Sequence, residues 1–186
     1  HNADTLDCDL MELDAHVGAR TGDGGQDLTN HSWWQGQIVS RSGRRGYLSL
    51  DDIGYGDVRG FMGANCAHGW SMFWEGASKR SYTPERLAAI NAATVTYNGK
   101  DIGRYKATQM QRAQERKIRA EKRAFLVAKE SGQKDAEKAA AAKLAASREK
   151  LKDFLGQTGL KQYQLRESVP GFGRSEASSA AAQARK

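Results

Sequence analysis

Cysteine is scarce in this chain: Cys8 and Cys66 are the only two in 186 residues. Two cannot build the disulfide framework that staples small secreted domains, so a reducing compartment is expected. No run of about 18 apolar residues exists to span a bilayer, and no membrane partner is expected. The start of the chain lacks the charged segment and apolar stretch of a secretion signal. It begins at His1 rather than Met, as expected of a processed product or an excised part of a longer protein. Proline is limited to Pro84 and Pro170, so nothing between them is barred from long helices. Apolar residues make up 39%, low for one well-filled core, and a modest core with an extended part is expected.

The net charge of +7 hides an asymmetry. Residues 1–99 carry 8 Lys and Arg against 12 Asp and Glu, and residues 100–186 carry 21 against 10. Such a split suggests a globule followed by a segment that meets an anionic or acidic partner.

The two halves also differ in local pattern. From Asp4 to about Tyr82 the chain is rich in Gly, Trp and Tyr, with short apolar stretches at Gly36–Ser40 and Gly46–Leu50. These read as short strands joined by ordered loops. All four tryptophans, Trp33, Trp34, Trp70 and Trp74, lie here, and core packing is their expected role. Thr83-Pro84-Glu85 supplies an N-cap, a first-turn Pro and an acidic residue, predicting a helix to about Ala93. From Tyr105 to Leu155 the composition turns to Ala, Lys, Arg, Glu and Gln, predicting helices near 103–130 and 134–155 with a break at Ser131-Gly132. At about 1.5 Å per residue the first would reach roughly 40 Å. Leu144, Leu151, Phe154 and Leu155 form one narrow apolar seam, able to hold a hairpin end or a partner helix, and the helices are expected to project from the first region with their contacts mainly to other chains. The Ser/Ala/Gln-rich end from Ser175 is expected to be disordered.

The expected fold class is therefore α+β: a small Trp/Gly-rich mixed domain with a Cys/His cluster over residues 1–99, a long basic helical arm of two helices over 100–156, and a short extension with a disordered tail over 157–186.

Apart from His1, every Cys and His of the chain falls in the first region: Cys8, His16, His31, Cys66 and His68. Thiolate and imidazole are the preferred ligands of zinc, and four in a tetrahedron would staple a loop-rich domain. An extended Cys66-Ala67-His68 would point both side chains to one face. His16, His31, Cys66 and His68 are the expected ligands of a structural Zn2+, with Cys8 as the alternative. None of the gaps matches a zinc-finger spacing. The competing reading makes Cys66 a small buried side chain and the histidines hydrogen-bonded structural groups. A Cys–His nucleophilic pair needs a spatial contact that sequence does not supply. No catalytic residues and no cofactor-binding residues are assigned, and Arg20 is expected to support the fold by bonding backbone carbonyls or a carboxylate.

Several segments follow one another along the chain: Glu12-x-x-x-His16-x-Gly18-Ala19-Arg20, His31-Ser32-Trp33-Trp34-Gln35-Gly36, Gly54-Tyr55-Gly56, Asn65-Cys66-x-His68, and Gln111-x-x-x-Glu115-Arg116-x-Ile118-Arg119-x-x-Lys122-Arg123. In this order they resemble the C-terminal part of the phage minor capsid protein 2 family, a group of minor head proteins associated with head morphogenesis. Phe154-Leu155-x-Gln157-Thr158-Gly159 and Gly171-Phe172-Gly173-Arg174 extend the likeness. Two departures stand out: Asp23–Asn30 lengthens the loop before His31, and Ala67 stands where a basic residue is expected. The resemblance implies a virion structural protein, assembled in the host cytoplasm, with capsid or portal proteins as partners. Packaged DNA is the other expected partner, as in a nucleic-acid-binding module. A metal-dependent enzyme or phage-delivered toxin domain, with one metal position open to water, is the remaining alternative.

Overall fold

The computed structural model describes residues 2–185, and the chain divides into two compact units. The first comprises residues up to Ala93 with Gly103–Tyr105, and the second comprises Thr94–Ile102 with the residues from Lys106 onward. The class is α+β, as the sequence predicts, with small sheets and two long helices.

The first unit is built on β1 (Leu10–Leu13), whose four residues are all buried. It lies inside a four-stranded sheet of order β3-β2-β1-β4, with β2 at Ile38–Ser40, β3 at Leu48–Ser49 and β4 at Trp70–Met72. β1 pairs antiparallel with β2 (Met11 opposite Val39) and with β4 (Leu13 opposite Trp70), while β2 and β3 are parallel. Met11, Leu13, Trp34, Val39, Ile53 and Phe61 form the core, with Trp33 and Trp70 packed against it. Trp34 is fully enclosed, whereas Trp74 is exposed. Two one-turn helices, α1 (Asn2–Thr5) and α2 (His31–Trp34), and one longer helix, α3 (Pro84–Asn91), complete the unit. α3 starts as the sequence predicts: Thr83 accepts from the Arg86 N–H, and Pro84 occupies the first turn.

Buried Glu12 ties the segment after β4 to β1. Its carboxylate accepts from the Ser81 N–H at 2.9 and 3.0 Å and from Arg80 Nε at 3.1 Å. Burial pushes its pKa up, but the bonds from Ser81 and Arg80 outweigh that and hold it below the usual value.

The second unit opens with a hairpin, β5 (Thr94–Tyr97) and β6 (Lys100–Gly103), turning at Asn98-Gly99. Both turn residues have positive φ, 50° and 70°, the backbone of a type I′ turn. This hairpin is not among the sequence expectations, although Asn-Gly between alternating apolar residues signals one. α4 (Arg104–Glu130) and α5 (Lys134–Thr158) follow, within three residues of the predicted bounds. Gly132, at φ 69°, makes the break between them, and Gly159, at φ 64°, caps α5 by donating to the Leu155 carbonyl.

Two expectations are corrected here. The apolar seam of α5 finds its partners inside the unit: Ala140, Ala141, Leu144 and Leu151 join Ile118 and Phe125 of α4 and Ala180 in one buried cluster. Phe154 joins Val95, Ala107 and Leu160 in a second. The end of the chain is helical rather than disordered, with α6 over Arg174–Ala184 and Ala180 buried. Its composition is polar on average, but alanine has the highest helix propensity, and one small face is enough to seat it on α5. Gly173 N–H donates to Glu176 and the Glu176 carboxylate pairs with Lys129, fixing its first turn. Ala180→Asp should therefore destabilise the protein by about 2 kcal/mol, because it places a carboxylate in the apolar cluster of Ala140, Ala141 and Leu144. Urea denaturation followed by circular dichroism checks this; a free tail would leave the midpoint unchanged.

Candidate metal centre

Three loops bring the ligand candidates together. His16 follows β1, and its backbone N–H donates to Gln35 Oε1 at 3.0 Å. His31 sits in the single turn of α2, its ring 4.5 Å from that of Trp34, whose indole N–H donates to the Leu28 carbonyl. Cys66 and His68 lie on the extended run into β4, on one face as expected, with Cys66 Sγ 3.5 Å from His68 Nδ1.

His31, Cys66 and His68 offer ligand atoms that all lie within 4.8 Å of one another. The His16 ring stacks on His68 with centroids 4.2 Å apart. The His31 and His68 centroids are 5.4 Å apart. His16 and Cys8 both lie outside this group of three: His16 stacks beside it, and the buried Cys8 thiol bonds the carbonyls of Leu10 at 3.3 Å and Phe73 at 3.8 Å.

Each imidazole has one nitrogen at a carbonyl oxygen. His31 Nε2 is 2.8 Å from the Arg59 carbonyl, His68 Nε2 is 3.1 Å from Gln35 Oε1, and His16 Nδ1 is 3.3 Å from the Val17 carbonyl. A carbonyl can only accept, so those nitrogens carry the protons. The lone pairs are then on His31 Nδ1, His68 Nδ1 and His16 Nε2. This is the orientation that outer-shell carbonyls impose on metal-ligating histidines. His16 Nε2 is buried and has no hydrogen-bond partner among the described residues.

Burial holds the His68 imidazole down at about 3, with charge repulsion from His16 and His31 adding to it. Burial also lowers His31; the bond to Arg59 opposes this, and the charges of Arg20 and His16 reinforce it. Both rings are therefore neutral near pH 7, the form that binds metal.

The loop that carries Cys66 is held from below. Arg20 donates through Nη1 to the Arg59 carbonyl and through Nη2 to the Ala64 carbonyl, each at 2.7 Å. That is the carbonyl-binding role expected from Gly18-Ala19-Arg20. The loop itself packs backbone on backbone: a Cβ on Gly60 would lie 2.2 Å from the Gly54 oxygen, and one on Gly63 would lie 2.5 Å from two carbonyl oxygens.

Gln35 was given no role from sequence. It is 1% exposed, accepts from His16 N–H and His68, and donates through Nε2 to Asn91 Oδ1 at 2.6 Å. The available signal was a polar residue directly after two tryptophans in the His31-Ser32-Trp33-Trp34-Gln35 run.

The unit is thus a small α+β scaffold organised around an imidazole–thiol cluster with zinc-type ligand chemistry. Residues 1–156 match the model of the phage minor capsid protein 2 family. The chain belongs to that family, and it is a structural protein of a phage head, carried in the virion. No curated protein and no solved structure matches it. Among the described residues no helix is long and apolar enough to cross a membrane.

Two expected outcomes follow from this geometry. The folded state refuses a proton at His68 that the unfolded chain accepts near pH 6.5, so stability present above that pH is lost as pH falls toward about 3. In metal-free protein the unfolding free energy should fall by up to roughly 1.4 kcal/mol per pH unit between about pH 6.5 and 5, before most carboxylates titrate. His68→Gln should flatten that slope in urea titrations at stepped pH. Separately, Gln35→Met strands the buried His68 N–H and should cost about 1–3 kcal/mol, read as a lowered denaturation midpoint.

Proposed function

We propose that this minor capsid protein docks on a capsid or portal surface through its first unit, and that the unit is held closed by one structural Zn2+. His31, Cys66 and His68 are three ligands, and His16 is the fourth. The observation that carries the reading is the set of three imidazoles each turned by a carbonyl, with His16 Nε2 buried and unpaired. Zinc bonds of about 2.0–2.3 Å in a tetrahedron separate ligand atoms by about 3.3–3.8 Å. Cys66 and His68 already stand at 3.5 Å. The ligand atoms of His31, Cys66 and His68 all lie within 4.8 Å of one another and would close in on the ion, and His16 would have to swing in from its stack on His68 to complete the site.

Four protein ligands leave no position for water, which favours a structural ion over a catalytic one. The first unit also needs such a staple, because its core rests on short strands and on a loop held by backbone bonds. Docking is supported by the exposed apolar side chains of Tyr55, Val58 and Met62 on the loop that the cluster pins.

Elemental analysis of purified protein should find about one zinc per chain, and Co2+ substitution should give the visible bands of a tetrahedral site with a thiolate ligand. Chelation should lower the melting temperature of the wild type and leave a metal-free Cys66→Ser variant unmoved. Protein that holds no metal when refolded with excess zinc, and melts alike with and without chelator, sinks the proposal. If His16→Ala retains full zinc affinity, three ligands and an open position remain, and the hydrolytic reading replaces this one.

A further inference from the structure

We infer that one face of α4 is a binding surface for the phosphate backbone of double-stranded DNA, formed by Arg112, Arg116, Arg119 and Arg123. These four follow one another at spacings of four, three and four residues, so they share a face of the helix. That face flanks the core side, where Gln111, Glu115, Ile118, Lys122 and Phe125 are buried. Arg116 and Arg123 are exposed, and Arg112 and Arg119 half-buried.

Little among the described residues offsets the stripe: only the buried Glu115, three residues after Arg112 and four before Arg119, lies near enough to feel the charge of one of these arginines, that of Arg119. The acids in the middle of α4, Glu115 and Glu121, are buried on the core side and bond to Gln111 and Ser147. Among the described residues, none of the four arginines is within ion-pair distance of a carboxylate. Outside the core side, their neighbours three and four positions away are other arginines, Ala113, Ala120, Leu126, Val127 and the uncharged Thr108 and Gln109. Like charges at such spacings destabilise a helix, a cost that an external polyanion would relieve.

The type of cation narrows the choice of partner. The exposed cations of α5 are mostly lysine (Lys138, Lys143, Lys150, Lys152), whereas this row is all arginine. The guanidinium fork matches phosphate oxygens bidentately. Arg119 also donates to the Arg166 carbonyl, which joins the row to Arg166 stacked 4.0 Å from the exposed Tyr163 ring.

An acidic protein surface is the less favoured occupant. Most larger apolar residues of these helices, Ile118, Phe125, Leu144, Leu151 and Phe154 among them, are spent in the unit's own cores, and exposed Val127 offers a single apolar contact. The inference rests on the capsid reading only for which polyanion the protein meets, since a phage head encloses duplex DNA. It is independent of the metal.

The test is fluorescence anisotropy of the full chain with a short labelled duplex across a salt series, beside a labelled polyglutamate. The triple variant Arg112→Gln, Arg116→Gln, Arg123→Gln is compared with Lys79→Gln, Lys143→Gln, Lys150→Gln, which removes equal charge elsewhere. Circular dichroism confirms that both fold. Binding to DNA should weaken steeply with salt, and the arginine variant should lower the slope of log K against log salt by about 2.7, from about 0.9 per lost phosphate contact. The lysine variant should keep most of the slope. Absence of DNA binding at low salt, equal losses in the two variants, or polyglutamate bound as tightly with the same dependence on the arginines would each overturn the inference. Failure here would leave membership of the capsid untouched, because that is read from the presence of the chain in particles.

Discussion

The Arg59 carbonyl oxygen accepts from both Arg20 and His31, and the arrangement of the first unit depends on that shared acceptor. A carbonyl with two donors cannot move without breaking both bonds, so the loop from Asp51 to Cys66 is fixed relative to α2. Fixing the loop sets where Cys66 leaves it, and the extended run from Cys66 to His68 then delivers the second pair of ligand atoms. Gln35 closes the arrangement from the other side by holding His16 and His68 with one oxygen. The cluster is thus positioned almost wholly by backbone and amide carbonyls, groups whose direction is set by the chain rather than by flexible side chains.

The second unit meets the problem of a small core differently. Its two apolar clusters run along α5, and the residues on either flank, the hairpin and α6, contribute Val95 and Ala180 to them. Polar residues are buried between the helices as well, with Gln111 bonding Glu115 and the Lys161 carbonyl, and Lys122 bonding the Glu167 carbonyl. Burial raises the Glu115 pKa and lowers that of Lys122, the latter reinforced by Arg148. These groups fix how the chain after α5 folds back, which is why the extension beyond Gly159 has a defined path.

Much of this was legible in the sequence where the signal is local. Thr83-Pro84 marks the start of α3, Ser131-Gly132 the break between α4 and α5, and the pooling of Cys and His marks the region of the cluster. Cys66-Ala67-His68 gave a face because an extended backbone alternates its side chains. What was not legible depends on contacts far apart in the chain. The closing role of Gln35 needs Asn91 and His68, and the burial of Ala180 needs a groove on α5 that no composition reveals. Asn98-Gly99 was legible but was overshadowed by the strong helical pattern beginning a few residues later. Low apolar content in Ser175–Lys186 suggested disorder because it measures average burial, whereas a helix of small residues can be seated by one buried methyl group.

The strand order of the first unit has a consequence for how the molecule assembles. β1 pairs with β4 through Leu13 and Trp70, far apart in the sequence, whereas α4 and α5 of the second unit each form from bonds within one helix, even though the hairpin later meets α5 across as long a stretch, Val95 against Phe154. Closing a long loop before any contact rewards it is slow, and short-range helical contacts form quickly. The topology therefore sets an order of events: the helices α4 and α5 can form while β4 is still unpaired. Cys66 and His68, just before β4, are among the last groups to find their places, and until then the thiol stands open to whatever metal or oxidant the surroundings supply.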